Sequence, residues 1–148
     1  MARLQLALNV SDLDEAVTFY TTLFKTPPAK RRPGYANFAI DEPPLKLVLF
    51  EGAGDPGTIN HLGVEVFSTE EVADATSYLA GAGLATEVED ETECCFAVQD
   101  KVWVDGPDGA RWEIYTVLAD ASAEGTTRRG DATCCAPVGA DAAASSCC

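Results

Sequence analysis

The chain has 148 residues, of which 47% are hydrophobic and 23% charged, and its formal net charge at pH 7 is -14. This length suits one compact domain or two small halves that share a core. The charge excludes nucleic-acid phosphate as a partner, because the basic cluster at residues 30–32 is too short to offset it. No apolar stretch approaches the roughly 20 residues of a membrane helix, and the opening run is too short for a signal peptide. We therefore expect a cytoplasmic protein with neither nucleic acid nor membrane as a partner.

Two segments of the sequence follow the same pattern at an offset of 56 residues. Residues 4–23 and 60–79 each begin with a short alternating strand and continue into helical apolar spacing. Both helix starts have the spacing of a capping box, Ser11 with Asp14 and Ser68 with Glu71. The offset also superimposes Gln5 on His61. The pattern predicts two similar halves.

Each predicted helix is followed by short strand candidates. They lie around 35–40 and 45–50 in the first half, and around 85–89, 95–98, 101–105 and 111–117 in the second. Gly54–Gly57 has the composition of a linker, and Asp105–Gly109 that of a tight hairpin turn. We therefore assign residues 1–53 to a first module, 58–118 to a second, and 119–148 to a flexible, cysteine-containing tail.

Three predicted strands carry a polar side chain of metal-binding type. Side chains alternate across a strand, and in each case the opposite face is apolar and expected to pack under the helices. The polar faces present Gln5, His61 and Glu113. A single strand histidine is more often structural, and a strand glutamine or glutamate usually faces solvent. The agreement between repeat and face assignment nevertheless favours a divalent first-row metal bound by these three residues, with open coordination positions.

All six cysteines occur in adjacent pairs: Cys94–Cys95, Cys134–Cys135 and Cys147–Cys148. Adjacent Cα atoms are about 3.8 Å apart, less than the roughly 4.4–6.8 Å of ordinary disulfides, so a bond within a pair is strained and reducible. Cross-pairing into a secreted disulfide framework stays open. Reduced pairs in a cytosolic chain instead indicate soft-ion binding or redox chemistry. A lone cysteine would be a small buried hydrophobe, but two in succession cannot both face the core of one strand.

The segments RLQLALNVSDLDEAVTFYTTLF, INHLGVEV and DGPDGARWEIY resemble the vicinal-oxygen-chelate superfamily of glyoxalases, extradiol dioxygenases and bleomycin-resistance proteins. The resemblance covers roughly residues 2–118. It implies an α+β fold in which two βαβββ modules form a cup-shaped sheet around one metal. The family's ligands lie on the first strand of each module and on the last strand, which correspond to Gln5, His61 and Glu113 here.

The ligand set departs from two branches of this superfamily. Glyoxalases add a carboxylate late in the first module, where this sequence has Lys46 and Leu47. Three ligands resemble the open facial site of non-haem iron dioxygenases, which usually have histidine at the position of Gln5. Glyoxalases also accept glutamine there. The three-ligand set implies Fe(2+) as the cofactor.

The segment ETECCFAVQDKVWVDGPDGARWEIYT, followed by a cysteine-rich tail, resembles bacterial cadmium-induced proteins and iron- and O2-dependent carbon–arsenic lyases. The resemblance implies that Cys94 and Cys95 bind a trivalent organoarsenical. A dithiolate satisfies both open valences of such an arsenical and fixes its carbon substituent toward the metal, which is catalysis by positioning.

The preferred interpretation is cleavage of methyl or aromatic arsenicals to arsenite by Gln5, His61 and Glu113 with iron and O2. Tyr115, on the face of Glu113, is a candidate supporting residue. One alternative is a cadmium- or arsenite-sequestering protein that uses its three cysteine pairs without catalysis. A glyoxalase-like isomerase is disfavoured by the missing carboxylate. The two modules pair either within one chain or between the chains of a homodimer.

Overall fold

The computed structural model describes residues 2–94 and 96–121. The first half of the chain forms β1 (Arg3–Val10), α1 (Leu13–Phe24), β2 (Lys30–Arg32), β3 (Tyr35–Ile40) and β4 (Leu45–Glu51). The second half forms β5 (Ile59–Glu65), α2 (Thr69–Gly81), β6 (Thr86–Cys94), β7 (Ala97–Asp105) and β8 (Arg111–Asp120). A short 3₁₀ turn at Pro107–Gly109 joins β7 to β8. Each half is thus one βαβββ module.

The eight strands form one sheet in the order β2-β3-β4-β1-β5-β8-β7-β6. In each module the first strand pairs in parallel with the last, and β1 and β5 pair antiparallel to join the modules within one chain. The two ends of the sheet approach each other, since Lys30 Nζ in β2 donates to the carbonyl of Phe96 at 3.2 Å and also contacts Asp120. The sheet is therefore a cup, and the predicted α+β fold of two βαβββ modules is confirmed.

Both helices pack on the convex face of the cup. Under α1, Leu13 and Val17 contact a cluster whose other buried members come from β3 and β4: Ala36, Phe38, Ile40, Leu47 and Leu49. Under α2, Val72 packs with Val66 and Val102. Burying each large apolar side chain contributes about 1.5–3 kcal/mol, so these clusters hold the helices to the sheet. Within the described residues, neither helix has the length and apolarity needed to cross a bilayer.

The N-terminus of α1 differs from the prediction. Asp12, not Ser11, is the N-cap, and its side chain accepts from the backbone N of Glu15 at 2.8 Å. In α2 the predicted Ser68 is the N-cap and accepts from the backbone N of Glu71 at 3.2 Å. The offset of 56 places Asp12 on Ser68, so the repeat itself indicates the correct residue.

The structure confirms only some of the predicted strands. The sequence analysis missed β2, a short edge strand made of Lys30, Arg31 and Arg32. It also ended the strand at 85–89 too early, since β6 continues to Cys94, and it broke β7 at residues 99 and 100, between the predicted strands at 95–98 and 101–105. Finally, β8 continues to Asp120, two residues into the segment assigned to the tail. The remainder of that tail lies outside the described residues.

The capping difference gives a direct stability test. Replacing Asp12 by Ala should lower the free energy of unfolding by about 1 kcal/mol, because the cap bond and the favourable carboxylate at the helix N-terminus are both lost. Ser11→Ala is the matched control and should change it by less than half as much. Urea denaturation followed by tryptophan fluorescence measures both. A larger effect at Ser11 would contradict the assignment.

Candidate metal centre

The three predicted ligands lie on three adjacent strands at the centre of the sheet. Gln5 belongs to β1, His61 to β5 and Glu113 to β8, and each is at most 4% exposed. Gly63 of β5 stands opposite both Gln5 and Glu113 in the strand register. A Cβ atom on Gly63 would lie 2.9 Å from Glu113 Cγ and 3.4 Å from Gln5 Nε2. The missing side chain of this glycine is what lets the flanking residues meet.

The polar atoms of these residues converge on one point. His61 Nε2 lies 3.3 Å from Glu113 Oε1. Gln5 Nε2 lies 3.1 Å from His61 Nε2 and 2.6 Å from Glu113 Oε1. In the neutral ring both His61 Nε2 and Glu113 Oε1 are hydrogen-bond acceptors. Two acceptors this close repel each other unless a donor or a cation lies between them. The Gln5 amide supplies that donor in this structure.

Tyr115 holds the Gln5 amide from the other side, since its hydroxyl donates to Gln5 Oε1. Burial, followed by the charges of Glu65 and Glu113, raises the pKa of Tyr115 well above its ordinary value. The phenol therefore stays protonated and remains a donor. Tyr115, the candidate supporting residue, thus contacts Gln5 and supports the centre through it.

Lys101 is a fully buried cation beside the centre. Its Nζ lies 2.9 Å from Glu113 Oε2 and 5.3 Å from the centre of the Trp103 ring. Burial raises the pKa of Glu113, but the charge of Lys101 and the hydrogen bond from its ammonium lower it. Glu113 is consequently a carboxylate at neutral pH. Lys101 occupies Oε2 and leaves Oε1 for the centre.

A chain of hydrogen bonds fixes the tautomer of His61. It starts at a backbone carbonyl, which can only accept: Thr58 Oγ1 donates to Asp55 O at 2.5 Å and accepts from Asn9 Nδ2 at 2.9 Å. Asn9 Oδ1 then accepts from Asn60 Nδ2 at 3.0 Å, so that Asn60 Oδ1 faces His61 Nδ1 at 2.8 Å. An amide oxygen cannot donate, so His61 Nδ1 carries the proton. Its Nε2 is left for the centre, as in histidines that bind metals.

The linker between the modules is part of this chain. Gly57 N donates to Asn9 O at 2.8 Å, and Asn9 N donates to Thr58 O at 2.9 Å. A Cβ atom on Gly54 would lie 2.7 Å from Asn9 Nδ2, so only glycine allows this approach. The turn-rich segment therefore supports the position of His61.

The donor set fits a divalent first-row metal ion. Among residues 2–94 and 96–121, no three His, Cys, Asp or Glu side chains lie close enough together to hold a metal ion. A metal ion at this centre would therefore require the Gln5 amide as its third donor. An imidazole nitrogen, a carboxylate oxygen and an amide suit such an ion. Gln5 would bind through Oε1, which a half-turn of the amide exchanges with Nε2. After that half-turn three acceptors would face one another, and a cation would satisfy them.

A narrow cavity of ≈ 20 Å³ opens onto these atoms. Besides the three ligands it is lined by Tyr35, Lys46, Val48, Phe50 and Gln99. The offset of 56 places Gly63 on Ala7, and Ala7 pairs with Val48 of β4 in the way that Gly63 pairs with Glu113 of β8. Val48 thus occupies the position symmetric to Glu113. The first module contributes an apolar wall there, and Lys46 is bound to Glu65 at 3.3 Å.

Cys94 lies at the end of β6, and the strand register puts it on the same face of the sheet as Thr92 and Gln99. It pairs with Ala97 across the β6–β7 hairpin and is 2% exposed. Gln99 Nε2 donates to its carbonyl at 3.3 Å, and the ring of Phe96 packs on Tyr35 at 5.3 Å. Cys94 is disulfide-bonded in this structure, which differs from the expected free thiol. Cys95 and both tail pairs lie outside the described residues.

The fold agrees with that of known proteins. The family model of the Glyoxalase/Bleomycin resistance protein/Dioxygenase superfamily matches residues 3–114. The chain belongs to this superfamily. The resemblance stated from the sequence is therefore confirmed.

Three members of the superfamily illustrate the similarity. The cadmium-induced protein CadI of Mycobacterium bovis is 58% identical over 148 residues, which cover 100% of this chain and 93% of the relative. The trivalent organoarsenical cleaving enzyme of Thermomonospora curvata is 56% identical over 138 residues, covering 93% and 90%. The Mn(II)-bound glyoxalase of Novosphingobium aromaticivorans shares the fold, with a TM-score of 0.59 at 18% identity over 86% of this chain and 44% of that one.

Sequence reasoning missed four residues of this site: Asn9, Asn60, Gln99 and Lys101. Gln99 and Lys101 lie on the same face of β7 as Trp103, which pairs with Glu113, but the predicted break at residues 99 and 100 separated Gln99 from the other two. Asn60 directly precedes His61, and a histidine that binds metal usually bonds a second group through its other nitrogen. That adjacency is the signal that could have identified Asn60.

The chain has a single histidine, so its tautomer can be observed without ambiguity. We expect long-range ¹H–¹⁵N spectra of the neutral ring to show the proton on Nδ1. Asn60→Leu removes the acceptor and should give a mixture of tautomers. Asn37→Leu is the matched control, because Asn37 donates to the Tyr35 hydroxyl and is not part of the hydrogen-bond chain to His61. An unchanged tautomer in Asn60→Leu would contradict the relay.

Proposed function

We propose that this protein is an Fe(2+)- and O2-dependent lyase that cleaves the carbon–arsenic bond of trivalent methyl or aromatic arsenicals. The observation that carries the proposal is the convergence of His61 Nε2, Glu113 Oε1 and the Gln5 amide in a buried cup. Cys94 shares its face of the sheet with Gln99, which lines the cavity. The T. curvata relative, named for cleavage of trivalent organoarsenicals, supports the substrate class.

The proposed reaction balances without an added reductant. One molecule of methylarsenous acid and one of O2 give one formaldehyde and one arsenous acid. The carbon–arsenic bond breaks, arsenic stays trivalent, and the electrons lost by the carbon reduce O2 completely. The products contain all atoms of the reactants, so the protein needs only to bind both and align them.

The thiols would hold arsenic. Trivalent arsenic is a soft acceptor and prefers thiolate to oxygen ligands, as soft metal ions do. Two thiolates from Cys94 and Cys95 would fill both exchangeable valences and leave the carbon substituent free. Because Cys94 is disulfide-bonded in this structure, it must first be reduced. The proposal therefore requires a reducing compartment such as the cytosol.

Gln5, His61 and Glu113 would hold the iron, which when bound supplies the redox chemistry that activates O2. Lys101 and the asparagine relay keep Glu113 ionised and Nε2 of His61 available. Only three protein donors meet at the centre among the described residues, so coordination positions remain for small molecules. The wall of Val48 and Phe50 restricts water at one side of the cavity.

Non-catalytic sequestration is the second candidate. The relative named as cadmium-induced, at 58% identity, favours it, together with the two further cysteine pairs of this chain. Sequestration would not need His61 and would not change the arsenical. Aerobic incubation with Fe(2+) and methylarsenite, followed by arsenic speciation, separates the two, since only the lyase forms arsenite.

His61→Ala should abolish cleavage and weaken metal binding at least 100-fold, because no other histidine exists to replace it. The affinity for phenylarsine oxide should stay within about threefold of the wild type. His61 is a cleaner test than Glu113, since removing that carboxylate leaves Lys101 buried and unpaired, at a cost of about 3–5 kcal/mol. Arsenite production by His61→Ala at the wild-type rate would disprove the metal assignment.

Cys94→Ser and Cys95→Ser should each lower arsenical affinity at least 100-fold, since a hydroxyl is a hard ligand that stays protonated near neutral pH. Their affinity for Co(2+), used as a probe of the metal site, should remain within about threefold of the wild type. A chain truncated after Ala121 is the control, because Ala121 N donates to Phe96 O at 3.0 Å. Arsenical binding that survives both substitutions but disappears on truncation would favour sequestration.

A further inference from the structure

Gln99 connects the β6–β7 hairpin, which carries Cys94, to the cavity beside Gln5, His61 and Glu113. It lies in β7, is 5% exposed, and its side chain lines the cavity together with Gln5, His61 and Glu113. Its Nε2 donates to the backbone carbonyl of Cys94 at 3.3 Å. Because a carbonyl only accepts, this bond fixes the amide with Oε1 at its opposite end.

Gln99 Oε1 is buried and has no hydrogen-bond partner among the residues that the structure describes. A buried acceptor without a partner costs about 1–3 kcal/mol. The amide and ammonium groups in and beside the cavity bond other oxygens: Gln5 Nε2 bonds Glu113, Lys46 bonds Glu65, and Lys101 bonds Glu113. A small molecule inside the cavity can supply the donor that Gln99 Oε1 lacks.

We propose that Gln99 Oε1 accepts a hydrogen bond from a water molecule that shares the cavity with the metal ion. The cavity of ≈ 20 Å³ is large enough for one water, and its walls provide the two to four polar partners that a buried water needs. A divalent cation polarises a neighbouring water and makes it a stronger donor. Gln99 is then a positioning residue of the metal centre, and this inference rests on the metal site of the proposed function.

Two substitutions distinguish the role of Gln99 as a hydrogen-bond acceptor in the cavity from a purely structural role in the hairpin. Gln99→Leu removes both the acceptor and the donor to Cys94. Gln99→Glu keeps an oxygen acceptor at the cavity but replaces the donor, so that an acceptor faces the Cys94 carbonyl. Both variants lose the hairpin bond, and only Gln99→Leu loses the acceptor. Circular dichroism and melting temperature of the metal-free proteins establish that each variant folds.

The probe is Co(2+), titrated anaerobically into the full-length, metal-free chain and followed by visible absorption. We expect Gln99→Leu to raise the Kd for Co(2+) 10- to 100-fold, the range found when groups that support metal ligands are removed. Gln99→Glu should bind Co(2+) as tightly as the wild type or more tightly, because its carboxylate keeps the acceptor and adds negative charge. Stabilisation by Co(2+), measured as the rise in melting temperature, should follow the same order.

Equal Co(2+) affinity in the wild type and Gln99→Leu would overturn the proposal. So would a tenfold weaker affinity in Gln99→Glu, the test that remains if Gln99→Leu does not fold, because loss of the hairpin bond alone would then control the metal. Failure of the metal site itself gives a different result. In that case the wild type would not bind Co(2+), or His61→Ala would bind it equally well.

Discussion

The antiparallel pairing of β1 with β5 is the constraint on which the site depends. It places Gln5 and His61, equivalent residues of two modules, on neighbouring strands, and the parallel pairing of β5 with β8 adds Glu113. Each module alone presents only part of the donor set. Gly63 sits between the outer two residues, and a methyl group there would contact Glu113 Cγ at 2.9 Å. The pairing that joins the two modules therefore also assembles the centre.

The concave face of the sheet buries charged and polar side chains, which costs desolvation free energy, whereas the convex face buries apolar ones. Under the helices the buried clusters are apolar, whereas the cup buries Glu113, Lys101 and His61 with almost no exposure. A buried ion pair often contributes less to stability than apolar residues of similar volume would. Its retention in the most crowded part of the sheet is understandable if a charged donor set is needed there. The hydrogen-bond chain from Asp55 to His61 serves orientation in the same way.

The sequence predicted the two modules and the three converging residues, because alternation and the repeat are independent signals that agreed at Gln5 and His61. It did not predict Lys101 or Gln99. Gln99 lies at the predicted break in β7, and the burial of Lys101 depends on its ion pair with Glu113 from another strand. The helix start at Asp12 could have been found by applying the repeat offset to Ser68. Long-range charge pairing, by contrast, leaves no local pattern in the sequence.

The two modules are not symmetric around the centre, and this asymmetry suits the proposed function. The offset of 56 relates Gly63 to Ala7, but the register partner of Gly63 is Glu113, whereas that of Ala7 is Val48. A second carboxylate there would close the centre with four protein donors and surround the ion with charge. Val48 instead gives the cavity an apolar side next to Phe50, which can face a methyl group without leaving polar groups unpaired. In the proposed function the organic substituent would lie on this side, while Lys101 keeps Glu113, the carboxylate at the centre, ionised.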